Sequence, residues 1–144
     1  MDNKTTSAGK KKPHGEVLSE IAKELRRLLV KAPLAIIVRE EALRKSGTTA
    51  SGQVLSYLNK VVGVSDLYAW AFGRREFAEI PPQTVKKMVT NNANAEKEEV
   101  AAALAQFVGE REYACDDESD AVAVGIAFLI QAGMLDSPYE KKEK

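Results

Sequence analysis

Asp117 and Asp120 stand three residues apart at the head of an apolar segment of helical length, residues 121–130, that Gly133 ends as a residue past a helix would. Residues at this spacing share one side of a helix, so the two carboxylates can aim at one point. Converging carboxylates at the start of a buried helix suit Mg²⁺, a hard cation that takes oxygen ligands. The same residues also have a plainer use. Asp and Ser cap free N–H groups at helix starts, and acidic side chains suit the positive end of the helix dipole. Taken alone, the segment favours the cap. A second acidic pair, Glu40 and Glu41, follows a continuous apolar, β-branched run at residues 34–38. The carboxyl end of a buried strand is where open α/β sheets place their sites, although a chain emerging into water would look the same. Arg44 and Lys45 open a hydroxyl-rich loop over residues 44–52, whose two glycines and exposed N–H groups suit phosphate contacts. That loop lacks the spacing of a nucleotide-binding P-loop.

The chain that must position these groups has 144 residues, enough for one domain with a proper core. With 44% hydrophobic and 29% charged residues it has the make-up of an ordinary soluble globular protein. No apolar run approaches the roughly 20 residues that span a bilayer, so no membrane partner is expected. The polar, lysine-bearing start lacks the apolar core of a secretory signal. Cys115 is the only cysteine, which excludes an internal disulfide and fits a reducing cytoplasm. Its acidic neighbours disfavour the thiolate, so a structural role is expected. A single histidine, His14, excludes a His-based zinc site. The zero net charge hides an asymmetry: residues 1–90 carry 16 Lys/Arg against 9 Asp/Glu, and residues 91–144 carry 5 against 12. A basic part that holds phosphates and an acidic part that holds metal is the division of labour of a nuclease.

Hydrophobic period sets the expected elements. Residues 1–14 read as a disordered basic tail, residues 15–136 as one domain and residues 137–144 as a charged tail. Val17, Ile21, Leu25, Leu28 and Leu29 predict an amphipathic helix over residues 16–31, stopped by Pro33. A strand covered on both faces follows at residues 34–38. A long helix from Gln53 towards Gly73 comes next, with Trp70 expected in the core. After a short strand at residues 77–80, Pro81 and Pro82 lead into a helix that presents Lys86 and Lys87 side by side. A further helix over residues 96–107 has Lys97 near its start. The order α-β-α-β-α-α-α predicts an α/β layer with a small, mostly parallel sheet flanked by helices.

Several of these segments together resemble the RuvC-like Holliday junction resolvases of the RNase H-like superfamily. Residues 80–90 (IPPQTVKKMVT) are similar to the family's "P-x-x-V-K-x-x-V-T/V-G" segment, and residues 94–100 (NAEKEEV) to its "G-x-A-x-K-x-x-V". Residues 117–127 (DESDAVAVGIA) look like its closing "D-x-x-D-A-L-A-I-A-x-A" helix. Residues 33–43 resemble the strand that ends in a catalytic Glu, and residues 52–71 the helix that follows it. The likeness covers about residues 16–133, and it is the order and spacing of the segments that make it specific. It implies Glu40 (with Glu41 as the alternative), Asp117 and Asp120 as carboxylates for Mg²⁺ or Mn²⁺. It further implies Lys97 as a catalytic residue, Lys86 and Lys97 against the scissile phosphate and backbone, and Lys87, Arg44 and Lys45 as further DNA contacts. The implied activity is two-metal hydrolysis of branched DNA by a homodimer in recombination and repair. The implied place is the cytoplasm of a bacterial or phage-infected cell, at the nucleoid.

The family opens with a strand carrying an "I-x-G-I-D-P-G" motif, and no such segment stands among these residues. Asp2 lies in a polar stretch without apolar flanks. The expectation is therefore a reduced sheet, with three of the family's four carboxylates. Two other readings stay open at this point: an inactive relative that binds branched DNA, and a small α/β interaction module.

Overall fold

A computed structural model describes residues 11–41 and 52–139. They form helix α1 (His14–Lys31), strand β1 (Val38–Glu40), helix α2 (Gly52–Ala71), strand β2 (Ala78–Ile80) and helices α3 (Pro82–Thr90), α4 (Lys97–Ala103), α5 (Ala105–Val108) and α6 (Asp116–Gln131). No helix among the described residues is long and apolar enough to cross a membrane. The chain divides into two compact units.

One unit is a pair of helices, α1 against α2. Among its described residues the buried apolar ones, Ala22 and Leu29 of α1 and Ala69 of α2, are few and mostly small. Beyond Lys31 the chain is held by Arg75, whose guanidinium donates to the carbonyl oxygens of Leu29, Ala32 and Ala35 at 2.9, 2.8 and 2.9 Å. These carbonyls have no partner within a helix, and a cation is favoured at this end of the dipole. Trp70, expected in the core, is instead 49% exposed, with the Arg74 guanidinium over its ring. Among the described residues of this unit α1 is the helix that packs across α2, and a single neighbour cannot cover a helix that is apolar all round.

The other unit holds the sheet and the main core. β1 and β2 pair in parallel, with Val38 opposite Ala78, Arg39 opposite Glu79 and Glu40 opposite Ile80. The Arg39 guanidinium reaches the Glu79 carboxylate at 3.0 Å, a cross-strand pair of opposite charges. The strand lies later than the 34–38 run suggested: Leu34 is 96% exposed and Ile36 is also open. In this register Leu34 would face Arg74, whose φ of 51° is left-handed and cannot continue a strand. Pro81, which has no N–H, limits the pairing at the other end. The apolar run was therefore a sound signal of a strand but a poor guide to its bounds.

α6 is the organising helix of this unit. Ala123, Val124, Ile126, Ala127 and Ile130 bury its apolar side against α3, α4 and the two strands. Ile80 of β2, Val89 of α3 and Leu104, just past α4, belong to the same core and are essentially inaccessible to solvent. Each large aliphatic side chain buried in this way stabilises the fold by about 1.5–3 kcal/mol. α6 ends as the sequence predicts. Gly133 has φ 72°, its N–H donates to Ile130 O at 3.0 Å, and the Met134 N–H donates to Leu129 O at 2.9 Å. This pair of bonds is the Schellman arrangement. The single helix expected over residues 96–107 is interrupted at Leu104, where the Phe107 N–H bonds three residues back instead of four.

Candidate metal and phosphate site

Four elements of the second unit each deliver one charged side chain to the same place. Glu40 is the last residue of β1, where the strand runs out of partner at Ile80. Lys86 lies on α3, which starts with Pro82 at the first helical position, where its missing N–H costs nothing. Asn91 ends α3 in the left-handed conformation at φ 61°. The Asn92 side chain then accepts the Asn94 N–H at 3.0 Å, and this local turn sets Lys97 as the first residue of α4. Asp120 lies one turn into α6.

The electrostatics of Glu40 record this meeting. Burial pushes its carboxyl above the ordinary value of 4.5, the negative charge of Asp120 adds to the rise, and Lys86 and then Lys97 oppose it. Lys97 also pairs with Asp120 directly, Nζ to Oδ2 at 3.5 Å. Of the two glutamates considered for this role, Glu40 carries these interactions. Glu41 follows it on an extended chain, where successive side chains point to opposite faces. The Glu41 N–H closes the ladder by donating to Ile80 O at 2.8 Å.

Asp117 is exposed in the first turn of α6. Among the described residues no three carboxylate, imidazole or thiolate side chains come close enough to share one ion, so Asp117 does not complete a triad with Glu40 and Asp120. No side chain among the described residues caps the start of α6, where Cys115 is the N-cap. Glu118 accepts the Ala114 N–H at 2.8 Å through one oxygen and the Arg111 guanidinium at 2.9 Å through the other. Glu118 thereby ties the loop that leads into α6 to the helix's first turn, a brace that no local sequence signal announces. Lys87 is exposed beside Lys86 and is not among the charges that act on Glu40. Arg44 and Lys45 lie outside the described residues.

Two carboxylates flanked by two ammonium groups fit a particular kind of divalent-ion site. Mg²⁺ is commonly held by one or two carboxylates, with water and substrate phosphate oxygens supplying the rest. In such a site Glu40 and Asp120 would supply the carboxylates, and the charges of Lys86 and Lys97 would suit a phosphate.

No model of a protein family matches the chain. It is 32% identical over 123 residues to the crossover junction endodeoxyribonuclease RuvC of Synechococcus sp. (strain WH7803), across 83% of this chain and 75% of that protein. The fold is similar to that of Thermus thermophilus RuvC, with a TM-score of 0.68 and 20% identity over 88% of this chain and 73% of that one. Against T. thermophilus RuvC in complex with a Holliday junction substrate the TM-score is 0.71, again at 20% identity, over 85% and 73% of the two chains. The structures establish the RNase H-like fold, and the curated relative reaches further: this chain belongs to the RuvC family of crossover junction endodeoxyribonucleases.

Proposed function

We propose that this protein is a Mg²⁺- or Mn²⁺-dependent endonuclease that cuts four-way DNA junctions in recombination and repair. The observation that carries the reading is the gathering of Glu40, Asp120, Lys86 and Lys97 from four elements. Family membership and the junction substrate bound by the T. thermophilus relative support the choice of DNA. Glu40 and Asp120 would hold the ion, with Asp117, one turn earlier on α6, kept as a candidate ligand. A bound divalent ion supplies Lewis-acid activation of water and neutralises the departing oxygen of a phosphodiester. Lys86 and Lys97 neutralise phosphate charge and fix the backbone against the carboxylates. Arg44, Lys45 and Lys87 are proposed as further backbone contacts.

A homodimer belongs to the same proposal. Leu58, Leu67, Trp70 and Phe72 are exposed on or just past α2, and a junction presents two strands to a two-fold pair of sites. The proposed place of action is the cytoplasm, at the nucleoid.

Purified protein mixed with a labelled four-way junction and Mg²⁺ or Mn²⁺ should give nicked products on a denaturing gel, and Asp120→Asn should abolish them while binding persists. Tight junction binding without nicking in either metal would favour the inactive, DNA-binding reading. Equal affinity for junction and linear duplex at moderate salt would sink both.

A further inference from the structure

Asp120, Lys86 and Lys97 all act electrostatically on Glu40, and Lys97 forms an ion pair with Asp120. Lys97 occupies an awkward place. As the first residue of α4 its positive charge sits where backbone N–H groups favour an anion, and its partner across the site is Asp120 at 3.5 Å. Both side chains are open to water, 67% and 41% exposed, so the pair exchanges partners readily.

We infer that Lys97 is a latch that holds Asp120 in the DNA-free chain and passes to a DNA phosphate on binding, so that divalent-ion binding and DNA binding favour each other. The inference rests on the proposed metal site and adds an order to its use. Without DNA, Lys97 occupies Asp120 and repels a cation, which leaves the site weak for metal. A backbone phosphate draws the ammonium away and frees the carboxylate, and the same coupling must work in reverse. The ion is then held where the substrate is.

The test is a Mn²⁺ titration of the full-length protein, followed by the EPR signal of the free ion at low salt. In the absence of DNA, Lys97→Gln should bind Mn²⁺ roughly two- to fivefold more tightly than wild type. Lys97→Arg, which keeps the charge, should stay at the wild-type affinity, and adding Glu40→Gln to Lys97→Gln should erase the gain. With a saturating four-way junction the wild-type affinity should rise by more than that of Lys97→Gln. A Lys97→Gln protein that binds Mn²⁺ no more tightly than wild type, while wild type binds it through Glu40, would overturn the latch and leave the metal site standing. Absence of Mn²⁺ binding in every protein, with and without DNA, would overturn both.

Discussion

α2 and α6 are similarly apolar helices with opposite fates. α6 buries Ala123, Val124, Ile126, Ala127 and Ile130 within its own unit, under α3, α4 and two strands. α2 buries Ala69 and leaves Val54, Leu58, Leu67 and Trp70 open. Neither helix has a strong polar side, so composition says that each needs cover from several directions. It cannot say what provides the cover. For α6 the chain itself supplies it, and the buried helix becomes a firm base for Asp120. For α2 the cover among the described residues of its unit comes from α1, and the remaining surface is the one proposed for a second copy.

The contrast breaks most visibly under mutation. Leu104→Ala, in the core beneath α6, should cost about 2–5 kcal/mol in urea unfolding, because the rigid surroundings cannot close the cavity. An equal loss from Leu58→Ala in α2 would erase the distinction, since an exposed leucine should cost under about 0.5 kcal/mol within one chain. The double variant Leu58→Lys, Trp70→Lys should instead lower the sedimenting mass from two chains to one at micromolar concentration. A wild-type protein that already sediments as a single chain would remove the dimer.

Smaller effects sharpen the α6 side. The folded chain binds a proton at Glu40 more tightly than the unfolded chain, so this carboxyl draws stability away as pH rises from its ordinary 4.5 through the raised value. Metal-free Glu40→Gln should therefore be more stable than wild type at neutral pH, by under about 1 kcal/mol for a group this open to water. The difference should vanish below about pH 4.5, and thermal melts across pH decide it. The smallest expected change is in salt dependence. Lys86→Ala should reduce the slope of log affinity for junction DNA against log salt by about one, whereas Lys31→Ala on α1 should leave it unchanged. Equal slopes in wild type and Lys86→Ala would take Lys86 off the DNA.

Much of the fold was legible because its signals are local. The 3.6-residue period marked α1 and α6, Pro82 marked the start of α3, and Gly133 marked the end of α6, where a left-handed residue is required. Strand bounds were less legible. A parallel strand has no local turn to set its register, and here the left-handed Arg74 and the imino nitrogen of Pro81 limit a pairing made across forty residues.

The site divides along the same line. The sequence by itself determined which chemical groups were on offer: carboxylates at residues 40, 41, 117 and 120, and lysines at residues 86, 87 and 97. Spacing on one helix made Asp117 and Asp120 the obvious pair, since helical periodicity is all that one segment can report. Tertiary structure added what spacing cannot report: Asp120, Lys86 and Lys97 all act on Glu40, and Lys97 pairs with Asp120. Electrostatic partnership depends on distance through space. That distance is set by the parallel pairing of β1 with β2 and by the packing of α3, α4 and α6 around them, neither of which is written in any single stretch of the chain.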